Sequence, residues 1–365
     1  MTDPFIAQSG MLEPIKAALT EAGTSFSVFD QCVPDPTTET IAAGLAAWEA
    51  AGQPDCLVGV GGGSSIDSAK AMAILAGVDR PLRDFKMPAQ PEPGLPVIAI
   101  PTTAGTGSEV TRASIVTDVE TNEKMLCMGR GLMPTIALVD YELTLSMPFR
   151  LTADSALDSL CHAMEAYVSR RANPFSDTHA LAAMRAIPAN LRAVRARGDD
   201  RAAREALMVA STQAGLAFSN SSVTLIHGMS RPIGAFFHVP HGMSNAMLLP
   251  AITAFSVPGA PVRYAQCARA MGFATGADGD DAAVALLLRG LRELTREMAV
   301  PSLRAFGVDE AEFFANVPTM AAQALASGSP NNNPQIPSQS EVEALYAEVF
   351  AETMGAEAQA RAAGA

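Results

Sequence analysis

Histidine, cysteine and tryptophan are scarce in this 365-residue chain, which has five histidines, five cysteines and one tryptophan. The cysteines are odd in number, scattered and never in a CxxC pair, which favours reduced cytoplasmic thiols over a disulfide framework or a thiolate metal site. No run of eighteen apolar residues occurs, and the N-terminus MTDPFIAQSG lacks the basic and apolar segments of a signal peptide. We therefore expect a cytoplasmic protein with no membrane partner.

Basic residues are also in deficit. The 25 lysines and arginines are outnumbered by 38 aspartates and glutamates, so the net charge is -13. Nucleic-acid binding depends on clustered basic side chains that release counterions from phosphates, so this composition argues against a nucleic-acid partner. At this length, with 48% hydrophobic residues, the chain is expected to form two domains.

The order of apolar segments predicts two different architectures along the chain. Before about residue 149, the β-type runs SFSVFD, CLVGV, PVIAIP, MLCMG and TIALVD alternate with helical stretches, which is typical of a parallel sheet layered with helices. After residue 150 the apolar spacing is helical throughout. The prediction is an α/β domain over 1–149 and an all-helical domain over 150–365. Only MTDPF precedes the first predicted helix, IAQSGMLEPIKAALTEAG, so the sheet is expected to lack its first strand.

A glycine-rich turn follows the second predicted strand, in CLVGVGGGSSIDSAKAMA. Gly62 and Gly63 let the backbone pass close to a ligand, and a helix starting near Ser64 would offer free N–H groups to a pyrophosphate. The turn is neither GxGxxG nor a P-loop. The alternative is a simple tight turn in which Ser64 is the N-cap and Asp67 completes the first helical turn.

A second polar loop, IPTTAGTGSEVT, follows another apolar strand and carries the hydroxyl residues Thr102, Thr103, Thr106 and Ser108. Two polar loops at the carboxyl ends of parallel strands suit a dinucleotide crevice. An ordinary network of threonine and glycine turns is the alternative interpretation.

A candidate metal site begins in SALDSLCHAMEAY, where Asp158 and His162 are four residues apart on one face of a predicted helix. Taken alone, the two residues favour the alternative of a surface Asp and His pair. The segment HGMSRPIGAFFHVPHG adds His227, His238 and His241, three of the five histidines.

The prolines of that segment predict how its histidines are arranged. We expect a helix ending near His227, a break at Pro232, and a new helix opened by Pro240, so that His227 and His241 face each other across a loop. The carboxylate of Asp158 and three imidazoles would leave a divalent cation with an open position for a substrate oxygen. Such a cation favours an alkoxide, which readily gives hydride to a nicotinamide. His238 is a candidate proton relay or substrate contact.

Together these motifs resemble the iron-containing (group III) alcohol dehydrogenase family, from TDP through GGGSSIDSAK, PTTAGTGSEVT and DSLCH to HGMSRPIGAFFHVPHGMSNAMLLP. The resemblance implies an N-terminal dinucleotide-binding α/β domain, a helical metal-binding domain, and an active site between them. It implies metal ligation by Asp158, His162, His227 and His241. It further implies that the cofactor is lined by Gly62, Gly63, Ser64, Asp67, Thr102, Thr103, Thr106 and Lys124.

The resemblance also extends to cofactor choice. Asp3 is similar to the family's acidic residue that receives the adenosine ribose, and its carboxylate would repel a 2'-phosphate, favouring NAD over NADP. Imidazole and carboxylate suit iron, zinc or manganese, and it is the resemblance that favours Fe²⁺. We expect a homo-oligomer, a dimer, that acts on a small alcohol or aldehyde.

Three features depart from the family pattern. Relatives usually have further residues before TDP, including the first strand. Arg231 stands where many relatives have a histidine implicated in proton transfer, so we hypothesise that His238 or solvent moves the proton and that Arg231 favours an anionic substrate. Asp35 stands where relatives have Asn, near the cofactor.

Two other functions stay open at this point. A lyase of the dehydroquinate-synthase type would use a similar cofactor and metal, although its site should be rich in Lys and Arg. A catalytically inactive binding protein is the second alternative.

Overall fold

The computed structural model describes residues 1–121 and 123–352, and the chain divides into two units, Met1–Ser146 and Met147–Ala365. The first unit contains a parallel sheet with helices and the second is helical within its described part, which confirms the predicted fold class. None of the described helices combines the length and the apolar character needed to cross a lipid bilayer.

The strands of the first unit form two separate sheets. They are β1 (Leu57–Gly61), β2 (Val97–Pro101), β3 (Ala113–Asp118), β4 (Glu123–Met128) and β5 (Ile136–Ala137). The parallel sheet has the order β1-β2-β5, with Leu57 opposite Val97 and Gly61 opposite Pro101. The other sheet is an antiparallel hairpin of β3 and β4. The carboxyl ends of β1 and β2 therefore lie side by side.

Four α-helices accompany these sheets within the described residues: α1 (Pro4–Gln8), α2 (Glu13–Glu21), α3 (Thr38–Ala50) and α4 (Gly63–Leu75). The alternation of side chains along β1 assigns one face of the sheet to each helix pair. Val60 packs with Ile6 and Leu12 of the α1 and α2 region, whereas Leu57 belongs to the larger core around α3 and α4. A Cβ at Gly59 would lie 3.2 Å from the Cα of Ile66, so this glycine allows α4 to approach the strand closely.

Several predicted elements of the first unit differ from the observed ones. The predicted first helix is two helices, α1 and α2, and the hairpin strand β3 was not predicted. The segment SFSVFD is extended but forms no regular strand, and Phe26 and Val28 are exposed. Its neighbour is Thr2, whose N–H donates to Phe29 and whose carbonyl accepts from Cys32, while Met1 hydrogen-bonds with Val58 and Val60. Residues 1 and 2 therefore lie between β1 and the extended segment.

The second unit is built around a long buried helix. Its helices are α5 (Phe149–Val168), α6 (Pro174–Ala196), α7 (Arg201–Asn220), α8 (Leu225–Phe237), α9 (His241–Ser256), α10 (Pro261–Ala270), α11 (Asp280–Glu297), α12 (Leu303–Phe306), α13 (Glu310–Ala326) and α14 (Gln339–Ala351). Helix α5 is buried without interruption from Ala156 to Val168. It packs against α6, α7 and α9, so its polar residues lie inside the protein.

A buried lysine joins α4 to the polar loop that follows β2. The side chain of Lys70 has no solvent exposure, and its ammonium donates to Ser108 Oγ at 3.0 Å, Thr111 Oγ1 at 3.0 Å and the Ala113 carbonyl at 2.9 Å. Asp67, one turn earlier, accepts from the Ser108 hydroxyl and, at 3.0 Å, from the N–H of Ile115. Burial lowers the pKa of Lys70, and the nearby carboxylate of Asp67 opposes that effect. The two side chains thus hold residues 108–115 against the helix.

We expect Lys70→Met to destabilise the first unit by about 3 kcal/mol, because it removes the cation beside Asp67 and leaves the buried oxygens of Ser108, Thr111 and Ala113 without this donor. Trp48 is the only tryptophan and lies on α3 in the same unit, so its fluorescence during urea unfolding measures this change. The matched control is Lys86→Met, because Lys86 is only partly buried and pairs with the partly exposed Glu123, which predicts a loss below about 1 kcal/mol. Equal losses in the two variants would contradict the role of Lys70.

Candidate metal centre and cofactor loops

Three side chains of the helical unit converge on one point. One ligand atom from each of Asp158, His227 and His241 lies within 4.8 Å of the other two. The Oδ1 atom of Asp158 is 3.4 Å from His227 Nε2 and 3.9 Å from His241 Nε2. Ligands bound to one cation at about 2.1 Å are roughly 3 to 3.5 Å apart, so only a small contraction is needed to bind a divalent ion here.

Helix α5 supplies the acidic half of this centre. Asp158 is 3% exposed in the middle of the buried segment. Burial alone raises the pKa of a carboxyl group, but the surrounding imidazoles outweigh burial and hold the pKa of Asp158 well below its usual range. The carboxylate is therefore ionised and available as a ligand.

Glu165, two turns further along α5, orients His227. Its Oε2 pairs with His227 Nδ1, and its Oε1 accepts from Thr224 Oγ1 at 2.8 Å and from the N–H of Ile226 at 2.7 Å. The carboxylate thus caps the start of α8 and directs His227 Nε2 towards Asp158. Burial lowers the pKa of His227, but Glu165 and Asp158 outweigh it and raise that pKa to about 9. The same negative charges that hold a proton on Nε2 favour a cation at that atom.

His241 is the first residue of α9, and a glycine brings it to α5. A Cβ on the next residue, Gly242, would lie 2.6 Å from the carbonyl oxygen of Asp154 and 3.4 Å from the Cβ of Asp158. Only a residue without a side chain permits this approach of α9 to α5. Ser230 Oγ lies 3.3 Å from His241 Nδ1, on the side of the ring away from Asp158. The ring of His241 is about half exposed, which leaves one side of the centre open.

His162, the fourth predicted ligand, lies beside this centre without joining the three converging atoms. Its ring is stacked between those of Phe218, at a centroid distance of 4.3 Å, and His227, at 4.5 Å. Burial lowers the pKa of His162 to about 3, so the ring is neutral. Its Nδ1 is buried without a hydrogen-bond partner among the described residues. A neutral imidazole with an unused nitrogen is a chemically suitable ligand, so its role in binding a metal stays a prediction.

Asn245 lies within hydrogen-bonding distance of all three converging atoms. Its Nδ2 donates to Asp158 Oδ1 at 2.6 Å and lies 3.1 and 3.3 Å from the Nε2 atoms of His227 and His241. Asn245 is fully buried on α9, one turn after His241.

The donor set fits a divalent cation. A carboxylate and imidazoles are the ligands that iron, zinc and manganese share, and Glu165 supplies the outer hydrogen bond that metal-binding histidines usually have. Asp158, His227 and His241 would hold the ion directly. His162 is the one further imidazole adjacent to them.

The observed helices correct one prediction about this segment. His227 is the third residue of α8 and not near the end of a helix, and Pro232 lies inside α8 without ending it. The end of α8 is set by His238, which adopts a left-handed conformation with φ 54°. His227 and His241 come together because α8 and α9 pack side by side, with their rings 5.3 Å apart.

The two remaining candidate residues of this segment differ in their surroundings. His238 is exposed, and its ring has no hydrogen bond to any described residue. Arg231 is partly buried on α8, and its guanidinium forms no hydrogen bond or ion pair within the described part of the chain. Neither is part of the converging set.

In the first unit, the structure brings the predicted glycine turn and threonine loop together. A Cβ at Gly62 would lie 3.7 Å from Thr103 Oγ1, and one at Gly63 would lie 3.1 Å from Thr106 Oγ1. The N–H of Thr102 donates to the Gly61 carbonyl at 2.9 Å. The glycines thus form a bare turn lined by threonine hydroxyls.

The start of α4 rules out the simple capping interpretation of this turn. The N-cap is Gly62, it makes no side-chain capping bond, and Ser64 is inside the helix. The first N–H groups of α4 therefore have no N-cap side chain and can bind an anion. Asp67 accepts from Ser108 and Ile115 and so holds the threonine loop against α4, and its place in a cofactor site stays a prediction.

The other predicted cofactor residues are also placed in this unit. The Asp3 carboxylate accepts from the N–H of Ile6 at 2.9 Å and lies close to Gly61, since a Cβ there would be 3.4 Å from Asp3 Oδ2. Lys124, on β4, pairs with Asp35 at 3.0 Å. Asp35 has a positive φ of 52° and is largely exposed.

Sequence reasoning missed Glu165, Asn245 and Lys70. Glu165 follows Asp158 by seven residues and His162 by three, so helical spacing alone places it on their face. Asn245 follows His241 by four residues in the same way. No spacing in the sequence predicted the buried position of Lys70, because a lysine on a helix is usually exposed.

Two family models match the chain. The model described as iron-containing alcohol dehydrogenase matches residues 1–141, and the model of the C-terminal domain of the Fe-containing alcohol dehydrogenase family matches residues 152–350.

Individual relatives agree with those matches. The chain is 37% identical to the 1-propanol dehydrogenase PduQ of Salmonella typhimurium over 339 residues, covering 91% of this chain and 87% of the relative. It is 33% identical to the NAD-dependent methanol dehydrogenase of Bacillus methanolicus, covering 92% and 87%. The crystal structure of a 1,3-propanediol oxidoreductase superposes with a TM-score of 0.91 at 33% identity, covering 96% of this chain and 91% of that structure.

The close contact at Gly242 generates a prediction for metal binding. We expect Gly242→Ala to weaken the binding of a divalent metal by about tenfold or more, because the new Cβ pushes α9 and His241 away from Asp158. Competition with a chromogenic chelator measures the affinity. The control is Gly276→Ala, where no atom lies within 4 Å of the added Cβ. An unchanged affinity in Gly242→Ala would contradict this account of how His241 is placed.

Proposed function

The chain belongs to the iron-containing alcohol dehydrogenase family and is an alcohol dehydrogenase, and we propose that it couples alcohol oxidation to the reduction of NAD at a divalent metal site. The reverse reaction reduces the aldehyde or ketone. The relatives are named as alcohol dehydrogenases and a propanediol oxidoreductase. These names favour oxidoreductase chemistry over a lyase or an inactive binding protein.

The observation that carries the proposal is the convergence of Asp158, His227 and His241. A divalent cation held there would act as a Lewis acid on the substrate oxygen and lower the barrier to hydride loss. Glu165 keeps His227 in the orientation that ligation requires, and Gly242 keeps His241 near α5. The open side at His241 is where we propose that substrate enters.

We propose that the glycine turn binds the pyrophosphate of the cofactor. The uncapped N–H groups at the start of α4 and the hydroxyls of Thr102, Thr103 and Thr106 supply donors to the phosphate oxygens. Ser64 lies in the first turn of the same helix. We assign Lys124 and Asp35 to the ribose side of the cofactor and Asp3 to the adenosine ribose.

Several finer features are proposals of the same kind. We propose Fe²⁺ as the metal, with Zn²⁺ or Mn²⁺ as the alternatives, and NAD in preference to NADP. His238 or solvent is proposed to carry the proton released from the alcohol. The cytoplasmic location and the homo-oligomeric state stay predictions.

The test of the proposed function is turnover after metal loading. Purified protein, reconstituted separately with Fe²⁺, Zn²⁺ or Mn²⁺, is assayed for NADH formation with a panel of short alcohols. We expect His227→Ala to lose bound metal and to reduce turnover by more than about 100-fold, because a direct ligand is removed. His179→Ala is the matched control, since His179 packs on Phe175 away from this centre. Full turnover in His227→Ala would overturn the proposal.

Cofactor choice is tested at Asp3. We expect Asp3→Asn to raise the ratio of kcat/KM with NADP to that with NAD about tenfold, because it removes a charge that repels a 2'-phosphate. Asparagine keeps the oxygen that accepts from the Ile6 N–H, so the cap of α1 is preserved. An unchanged ratio would show that Asp3 does not face the ribose.

A further inference from the structure

Arg231 is a positively charged residue of α8, and the proposed reaction gives it no function. It follows His227 by four residues on α8, so the two side chains project from the same face of the helix one turn apart. His227 directs its Nε2 towards Asp158. Arg231 therefore neighbours the centre at which the substrate would bind.

The guanidinium has no partner that would account for its position. Among the residues described, none accepts a hydrogen bond from Arg231 or forms an ion pair with it, although the residue is partly buried. Burial lowers the pKa of Arg231, and only the charge of Glu165 opposes that effect. The oxygens of Glu165 are already used by Thr224, Ile226 and His227. A partly buried arginine with five donors is thus left for a ligand to satisfy.

The charges around Arg231 favour an anion. The two nearest carboxylates are already bonded to other groups, Asp158 to Asn245 and His227, and Glu165 to Thr224 and His227. The charge of Arg231 therefore has no partner among the described residues. A neutral alcohol would leave that charge unpaired, whereas an anionic group on the substrate would form charge-assisted hydrogen bonds with it.

We propose that Arg231 selects substrates in which the alcohol or aldehyde carries a second, anionic group, a carboxylate. This inference rests on the proposed function and deepens it, because it names the substrate class of the same site. Arg231 would bind the carboxylate while the hydroxyl or carbonyl oxygen occupies the metal centre.

Matched pairs of aldehydes test the proposal on the metal-loaded protein with NADH. Butanal is compared with 4-oxobutanoate, and pentanal with 5-oxopentanoate. We expect the wild-type kcat/KM to be higher for the anionic member of at least one pair. In Arg231→Met the ratio of anionic to neutral kcat/KM should fall about 10- to 100-fold, the factor for losing charge-assisted hydrogen bonds.

Two further variants separate charge recognition from structural damage. Arg231→Lys keeps the charge and should retain a ratio between those of the wild type and Arg231→Met. Arg289→Met removes an exposed arginine on α11 and should leave the ratio unchanged. Because each ratio is measured within one variant, a general loss of folded protein does not alter it.

The outcomes distinguish this inference from the proposed function. Turnover of neutral aldehydes without any preference for the anionic ones would overturn the role of Arg231 and leave the dehydrogenase function intact. Equal losses on both members of a pair in Arg231→Met would do the same. A raised KM for NADH with an unchanged ratio would assign Arg231 to the cofactor and overturn the proposal. No turnover of any aldehyde or alcohol would contradict the proposed function itself.

Discussion

The contact between Glu165 and His227 is the interaction on which the candidate metal centre depends. Glu165 lies in the buried core of α5, yet it binds the backbone at the start of α8 and the imidazole of His227 at once. An unpaired carboxylate there would carry a large desolvation cost, so the charge is tolerable only with these donors in place. These bonds from α5 thereby fix the direction of the His227 Nε2 atom.

The first unit uses buried charge in a similar way. Lys70 and Asp67 join α4 to the loop after β2, and that loop carries the threonines that line the glycine turn. Loops of small polar residues have little apolar surface to hold them in place. In both units a buried ionic side chain from a helix positions a polar segment that is distant in sequence.

Glycine has a related function at the points of closest approach. Gly59 lets α4 approach β1, and Gly242 lets α9 approach α5 beside Asp158. Because helix spacing is set by the side chains at the contact, removing those side chains brings the polar groups within bonding distance. Arg231 is the contrasting case, since it is charged and partly buried without a described partner, and such a residue is where a ligand is expected.

By itself, the sequence determined the family, the fold class and the three side chains that converge, Asp158, His227 and His241. Helical spacing places Asp158 and His162 one turn apart, and turn chemistry places glycines after β1, because both are local properties of the backbone. Tertiary structure alone decided that Glu165 bonds to His227, that Asn245 bonds to Asp158, that His162 stacks between Phe218 and His227, and that SFSVFD stays outside the sheet. These outcomes depend on the packing of elements that are far apart in sequence, and no local pattern contains that information.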